Sequence, residues 1–179
     1  GLMSGTSMDG VDAALIRSDA RFRVEFGPRL TIAYDAAIRR DLRAALGQPA
    51  APPALVEAVT RAHAAAVETL LVYHGVDRGA VDVIGFHGHT IRHRPWEGET
   101  IQIGDGPLLA RLAGIDVVNE FRTADVRAGG QGAPLVPVVH AALARDLAHP
   151  LAVLNIGGVA NVTWIGAAFD PSAPAPDDG

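Results

Sequence analysis

The chain has 179 residues, a little over the ~150 of a typical domain, so one complete domain plus a remnant is the first expectation. With 49% hydrophobic and 20% charged residues it belongs among sequences that fold, and a net charge of −5 without a basic stripe argues against nucleic acid and membrane surfaces as partners. All 15 basic residues are arginine and cysteine is absent, which excludes within these residues a P-loop lysine, a Schiff-base lysine, a thiol nucleophile and a thiolate zinc site.

Gly1 to Gly10 lacks the charged-then-apolar pattern of a signal peptide, and no apolar run approaches the ~18 residues of a membrane span, so a cytoplasmic protein is expected. The glycine and hydroxyl loop SGTSMDG is followed by Val11, Ala13 and Leu15 alternating with Asp12, Ala14 and Ile16, a weak period of two that predicts strand, tight loop, strand. Phe22, Val24 and Phe26, alternating with Arg23 and Glu25, predict a third antiparallel strand running toward Leu30 and Ile32. Asp35 is placed to cap a helix through about Ala45, closed by Gly47. Val56, Val59, His63, Val67 and Leu70 recur at three and four, predicting a longer helix from Pro53 to Tyr73 with Gly75 beyond its end.

The continuous apolar run Val83 to Phe86 predicts a strand buried on both faces and ending at His87. Thr100 to Ile103 reads as another strand, and Asp105, Gly106 and Pro107 as the cap and first turn of a helix to about Ala113. Ile115 to Val118 is the next predicted strand. A glycine-rich loop, AGGQGAP from Ala128 to Pro134, precedes a helical stripe of Leu135, Val138, Val139, Ala142, Leu143 and Leu147, which His149 and Pro150 end. Leu151 to Ile156 is again an apolar strand, turning through GGVAN into Val162, Thr163 and Trp164.

Leu2 to Leu15 and Leu154 to Ile165 share one order: strand end, Ser4 or Asn155, glycine-bearing turn, polar residue, second strand. A hairpin repeated roughly 150 residues apart predicts two related α/β domains, the first spanning 1–149 and the second beginning at 150 and cut short by 179. A start at Gly1 without methionine and a proline-rich end fit a chain fragment.

Several side chains are candidates for chemistry. Gly5, Thr6 and Ser7 offer backbone amides and hydroxyls, and Asp9 a carboxylate, suiting a phosphate tail with hydrated magnesium; an ordinary turn uses the same residues. A second glycine hairpin, Gly157 to Asn161, would hold the other end of a triphosphate. His87 and His89 are predicted on the same side of an extended chain, where they would ligate zinc in a hydrolase, or sit satisfied by loop carbonyls beside Arg92 and Arg94. His63 and His140, on or near helix stripes, read as structural. Asp105 is a helix cap, a ligand contact, or both, at the carboxyl end of a strand. Arg122 is placed to fork onto phosphate or sugar oxygens, with a surface pairing to Glu120 as the alternative. The glycines of AGGQGAP either admit a ligand to the backbone or simply form a loop.

The blocks LMSGTSMDGVDAALI, FHGHTIRHRP, IQIGDGPLLA, NEFRTADVRAGGQGAPLVP and LNIGGVANVTWI, in this order and covering nearly the whole chain, resemble the N-terminal half of a 1,6-anhydro-N-acetylmuramic acid kinase. The resemblance implies an actin-like (ribonuclease H-like) ATPase fold of the actin, hexokinase and heat-shock-protein superfamily: a mixed sheet flanked by helices, in two related domains that close over ATP. It implies ATP and Mg²⁺ as cofactors and an anhydro-amino sugar as substrate, and leaves a homodimer open. Gly5, Thr6, Ser7, Met8, Asp9, Gly10 and Asp12 would then belong to the first phosphate hairpin, with Asp9 holding magnesium through water, and Gly157, Gly158 and Asn161 to the second. His87, Thr90, Asp105 and Arg122 would line the sugar side. The family reads HGQT where this chain has HGHT, and DFR where it has EFR, so the sequence departs from it at His89 and Glu120. The family's catalytic carboxylate lies in an FDTGPGN motif absent here; Phe169-Asp170-Pro171 matches its first two letters, making Asp170 the candidate within this sequence. The implied reaction is attack of water on the anomeric carbon while the freed O6 takes the γ-phosphoryl of ATP, giving N-acetylmuramic acid 6-phosphate in peptidoglycan recycling. A zinc hydrolase using His87 and His89, and a non-catalytic sugar or nucleotide sensor on the same fold, are the alternatives.

Overall fold

A computed structural model describes residues 1–19, 23–156 and 160–167. Phe22, Gly157, Gly158 and Asp170 lie outside the described residues. The described residues form two compact units, one of Gly1–Ile16 with Phe26–Ala133, the other of the residues between 17 and 25 with those from Pro134 onward. No helix among them is long and apolar enough to cross a membrane.

The first unit is a mixed sheet flanked by helices. Strand β1 (Leu2–Ser4) pairs antiparallel with β2 (Gly10–Ser18), with Leu2 opposite Ala13 and Met3 opposite Asp12. The next strand, β3 (Val24–Ala33), borders β2 with Gly10 against Ile32 and Gly27 against Leu15, so these two also run in opposite directions. On its other side β1 runs parallel to β4 (Ile84–Arg94), which pairs antiparallel with β5 (Glu99–Ile103) and parallel with the short β6 (Val117–Asn119). Helices α1 (Ala36–Ala45), α2 (Pro53–His74) and α3 (Gly106–Ala113) follow the local signals: the carboxylates of Asp35 and Asp105 accept from the N–H of Ile38 and Leu108, and Gly75 ends α2 in the left-handed region. Each such cap stabilises its helix by about 1 kcal/mol. Leu42 of α1, Val59 and Ala66 of α2 and Leu109 of α3 pack with Val11, Ala13 and Phe86 of the sheet into one buried core.

The structure corrects the sequence at four places. The strand expected to end at His87 continues to Arg94 through an irregularity at Gly88, whose φ is +68° and where a Cβ would meet the carbonyl of Ile103. Register against β1 jumps there, from Leu2 opposite Phe86 to Ser4 opposite His89, so one extra residue is accommodated in β4. His87 and His89 are therefore not on one side: His89 joins Phe86 and Ile91 in the core, while His87 and Thr90 are only half-buried on the opposite face. The strand expected from Ile115 is β6, beginning at Val117, with Ile115 buried just ahead of it. Helix α4 (Thr123–Arg127) was not expected, because five residues are too few to display a period.

In the second unit the stripe from Leu135 to Leu147 yields only α5 (Pro137–Leu143). Proline lacks an N–H and has a fixed φ, which suits the first helical turn, and after Leu143 the chain tightens so that the N–H of Leu147 meets the carbonyl of Ala144. Strands β7 (Leu151–Ile156) and β8 (Ala160–Ile165) form an antiparallel hairpin, with Asn155 opposite Asn161. His140 on α5 meets the Thr163 hydroxyl at 2.8 Å.

Candidate functional site

The turn between β1 and β2 is built by its own backbone. The N–H of Met8 donates to the carbonyl of Gly5 at 3.0 Å, and Met8 takes a φ of +55°. Thr6, Ser7 and Asp9 are exposed on this turn, while Met8 is partly buried against the core. The Ser7 hydroxyl donates to the Asp9 carboxylate at 2.7 Å, and this bond is the main reason the Asp9 pKa is lowered from the ordinary carboxylate value. The result is an ionised carboxylate beside two hydroxyls at a tip open to a ligand. Gly10 begins β2 against the backbone of Ile32, where a Cβ would collide with it, and Asp12 accepts from Thr31 at 2.5 Å across the strands. Asn161 is described, at the start of β8, and its side-chain oxygen has no protein partner among the described residues.

Beneath the turn lies a buried polar layer that the sequence reading missed. Ser4, at the end of β1, is 2% exposed and its hydroxyl meets Nδ1 of the fully buried His89 at 2.8 Å. The Tyr34 phenol faces Ser4, and burial pushes its pKa up to about 12. His63 on α2 is also fully buried; its Nδ1 donates to the carbonyl of Val59 at 2.8 Å, and its ring packs edge-on against Phe86 at 4.9 Å. The only signals for this layer in the sequence are polar residues standing at apolar positions.

Burial lowers the His63 pKa to about 4, with its hydrogen bond to Val59 opposing the shift. Because the unfolded value is ~6.5, protons bind the unfolded state better, so this stabilisation is full above pH ~6.5 and is lost as pH falls toward 4. The loss amounts to about 3 kcal/mol at most. His63→Leu should remove about one proton from the uptake on unfolding, read as a flatter dependence of urea-unfolding free energy between pH 6.5 and 4. An unchanged slope would assign the acid sensitivity elsewhere.

On the outer face of β4 the candidate sugar residues partly come together. Arg122, the residue before α4, donates from Nε to Nε2 of His87 at 3.1 Å and from Nη1 to the carbonyl of Gly132 at 2.6 Å. The other ring nitrogen of His87, Nδ1, donates to the Gly88 carbonyl at 3.1 Å, which fixes a neutral tautomer. Burial lowers the His87 pKa, and the guanidinium lowers it further. Thr90 accepts from Gln102 Nε2 at 3.2 Å, and that amide also donates to Thr100 at 2.8 Å, whose hydroxyl meets Nδ1 of His93 at 3.0 Å. The His93 pKa is lowered by burial and then by Arg122, so this polar ladder lies within the field of the guanidinium.

Asp105 is held apart from that network. Its carboxylate caps α3, and its own N–H donates to the Thr60 hydroxyl at 2.9 Å, so the capping role is the one the geometry displays. No ion pair joins Arg122 to Glu120 among the described residues, and the surface-pairing alternative is replaced by the contacts with His87 and Gly132. The zinc arrangement is not formed either: the lone pair of His87 Nε2 is occupied by an arginine N–H, and His89 is turned into the core toward Ser4. Among the described residues no group of three His, Asp or Glu side chains is disposed to hold a metal.

Comparison with known proteins bears on what such a surface does. A sequence profile of the family described as anhydro-N-acetylmuramic acid kinase matches residues 1–174. A Rhodospirillum rubrum protein named anhydro-N-acetylmuramic acid kinase is 56% identical over 176 residues, covering 96% of this chain and 46% of that protein. Proteins of the same name from Paramagnetospirillum magneticum and Rhizorhabdus wittichii are 54% and 52% identical, covering 92% and 93% of this chain and 46% and 48% of their own lengths. The chain thus spans about half the length of the curated relatives it matches.

Proposed function

This chain belongs to the anhydro-N-acetylmuramic acid kinase family, and from that premise we propose that it supplies the N-terminal part of an ATP-dependent kinase acting on 1,6-anhydro-N-acetylmuramic acid. The enzyme opens the anhydro bond and phosphorylates O6, giving N-acetylmuramic acid 6-phosphate for peptidoglycan recycling in the cytoplasm. We take residues 1–149 as the first actin-like domain and 150–179 as the opening of the second, a division supported by the two antiparallel hairpins β1–β2 and β7–β8 and falling later in the chain than the break at Pro134 between the two compact units.

The observation that carries the reading is Arg122. Its guanidinium is held at Nε by His87 and at Nη1 by Gly132, while Nη2 has no protein partner among the described residues. A planar cation held at two of its nitrogens and open at the third is suited to sugar or phosphate oxygens. His87 and Thr90 complete the sugar side, with Asp105 at its margin as helix cap. Gly5, Thr6, Ser7, Met8, Asp9, Gly10 and Asp12 would make the phosphate side, and Gly157, Gly158 and Asn161 are the phosphate-binding candidates of the second hairpin.

The residues fit magnesium in one respect: Asp9 is an exposed, ionised oxygen donor with a hydroxyl beside it, which suits a hydrated ion bound through water. When bound, that ion would neutralise charge on the transferring phosphoryl group. The residues of this chain orient the two substrates. O6 of an anhydrosugar carries no proton, so the base needed is one that deprotonates a water aimed at C1, while O6 leaves toward the γ-phosphorus. Asp170, or a carboxylate in the remainder of the full-length protein, would be that base.

The full-length protein should consume ATP only when the anhydrosugar is present. Reaction in ¹⁸O-labelled water should place label at the C1 hydroxyl, with inversion and none in the phosphate. Turnover without ATP at stoichiometric zinc, or binding without turnover, would favour the hydrolase or the sensor instead.

A further inference from the structure

The loop between α4 and α5 is held by a residue that is not among the candidate site residues. The carboxylate of Asp125, in the middle of α4, reaches forward and accepts the N–H of Gly132 at 2.6 Å. Its own carbonyl accepts the N–H of Gly130 at 2.8 Å, so one residue grips the glycine loop by both its backbone and its side chain. The glycines are matched to this grip: Gly132 takes a φ of +64°, and a Cβ at Gly130 would run into the Asp125 carboxylate. The peptide groups of Gly132 then work in two directions. Its N–H is held by Asp125, and its carbonyl receives Nη1 of Arg122, whose Nε is held by His87.

We infer that Asp125 is a positioning residue for the sugar site, setting the orientation of Arg122 through the backbone of Gly132. The inference rests on the proposal that Arg122 contacts the sugar. Arginine has long, easily rotated torsions, and a fork that must meet ligand oxygens gains from having its in-plane rotation fixed before the ligand arrives. Two acceptors, one on β4 and one on the loop, fix that rotation only if the loop itself is fixed. Without the carboxylate, the Gly132 carbonyl is free to swing with the rest of a glycine-rich segment. Asp125 touches neither ligand in this scheme; its effect passes through one peptide unit and one guanidinium.

The test uses the full-length protein with anhydrosugar and ATP varied separately. Asp125→Ala is expected to raise KM for the sugar ~10-fold, with KM for ATP unchanged, because a small misplacement of a binding group has effects of this size or larger. Asp125→Asn keeps an acceptor oxygen for the Gly132 N–H and should recover most of the loss. Gly130→Ala, which pushes the carboxylate aside without deleting it, should reproduce the Asp125→Ala defect and supplies the second route should the alanine variant fold poorly. Combined with Arg122→Ala, the Asp125→Ala change should cost nothing further. Additive losses, an equal rise in both KM values, or a lowered Tm with unchanged sugar KM would overturn the positioning role. Should Arg122→Ala itself leave sugar kinetics untouched, the failure would lie in the placement of the sugar site.

Discussion

Asp9→Asn in the full-length protein should lower kcat by ~10²-fold or more while leaving the fold intact, the size of effect seen when one preorganised electrostatic group is lost from a transition state. The structure makes the substitution clean. Asp9 is exposed, its side chain accepts from the Ser7 hydroxyl, and its backbone carbonyl, which accepts the Tyr34 N–H at 3.0 Å, is untouched by the change. Asparagine is nearly the same shape but neutral, so what is removed is the charge that the Ser7 bond favours by lowering the Asp9 pKa. The dependence of rate on magnesium concentration should shift upward together with the fall in kcat, and Tm should stay within about 1 °C of the parent, as for surface substitutions generally. Unchanged kcat and unchanged magnesium response would reduce SGTSMDG to a turn.

Arg122→Ala should lower kcat/KM for the anhydrosugar ~10 to 150-fold, the equivalent of one charge-assisted hydrogen bond of ~1.5 to 3 kcal/mol. It also deprives the Gly132 carbonyl and His87 Nε2 of their donor, so some loss of stability is expected alongside. Arg122→Lys separates the two effects. Lysine restores a positive charge but not a planar fork, and cannot serve His87, Gly132 and a ligand in one plane, so it should recover stability better than it recovers sugar use. A fall in Tm with unchanged kinetics in both variants would make Arg122 a structural clamp.

What was legible in the sequence was local. Asp35, Asp105 and Gly75 mark helix ends because a cap is made within a few residues of the chain, and the observed caps lie where these residues predicted them. The three-and-four spacing from Val56 to Leu70 likewise gave α2, since one buried face needs no knowledge of what it packs against. The candidates in the first turn and Arg122 were visible as residue types, without their partners.

Tertiary pairing decided the rest. Whether His87 and His89 share a side depends on the register of β4 against β1 and β5, and a single extra residue at Gly88 reverses the side chains beyond it. For Arg122 the sequence offers ligand oxygens or, as the alternative, its near neighbour Glu120, because it shows only adjacency; the protein partners, His87 and Gly132, are brought to it by β4 and by a loop that Asp125 folds back. Ser4, His63 and His89 from three separate elements and Tyr34 from the loop after β3 form this buried layer, and no spacing along the chain encodes that meeting. The sequence by itself determined the capped helices, the family resemblance and the chemistry available. Only the folded sheet, by fixing which residues stand opposite one another, decided which of those groups bond each other and which are left open to a ligand.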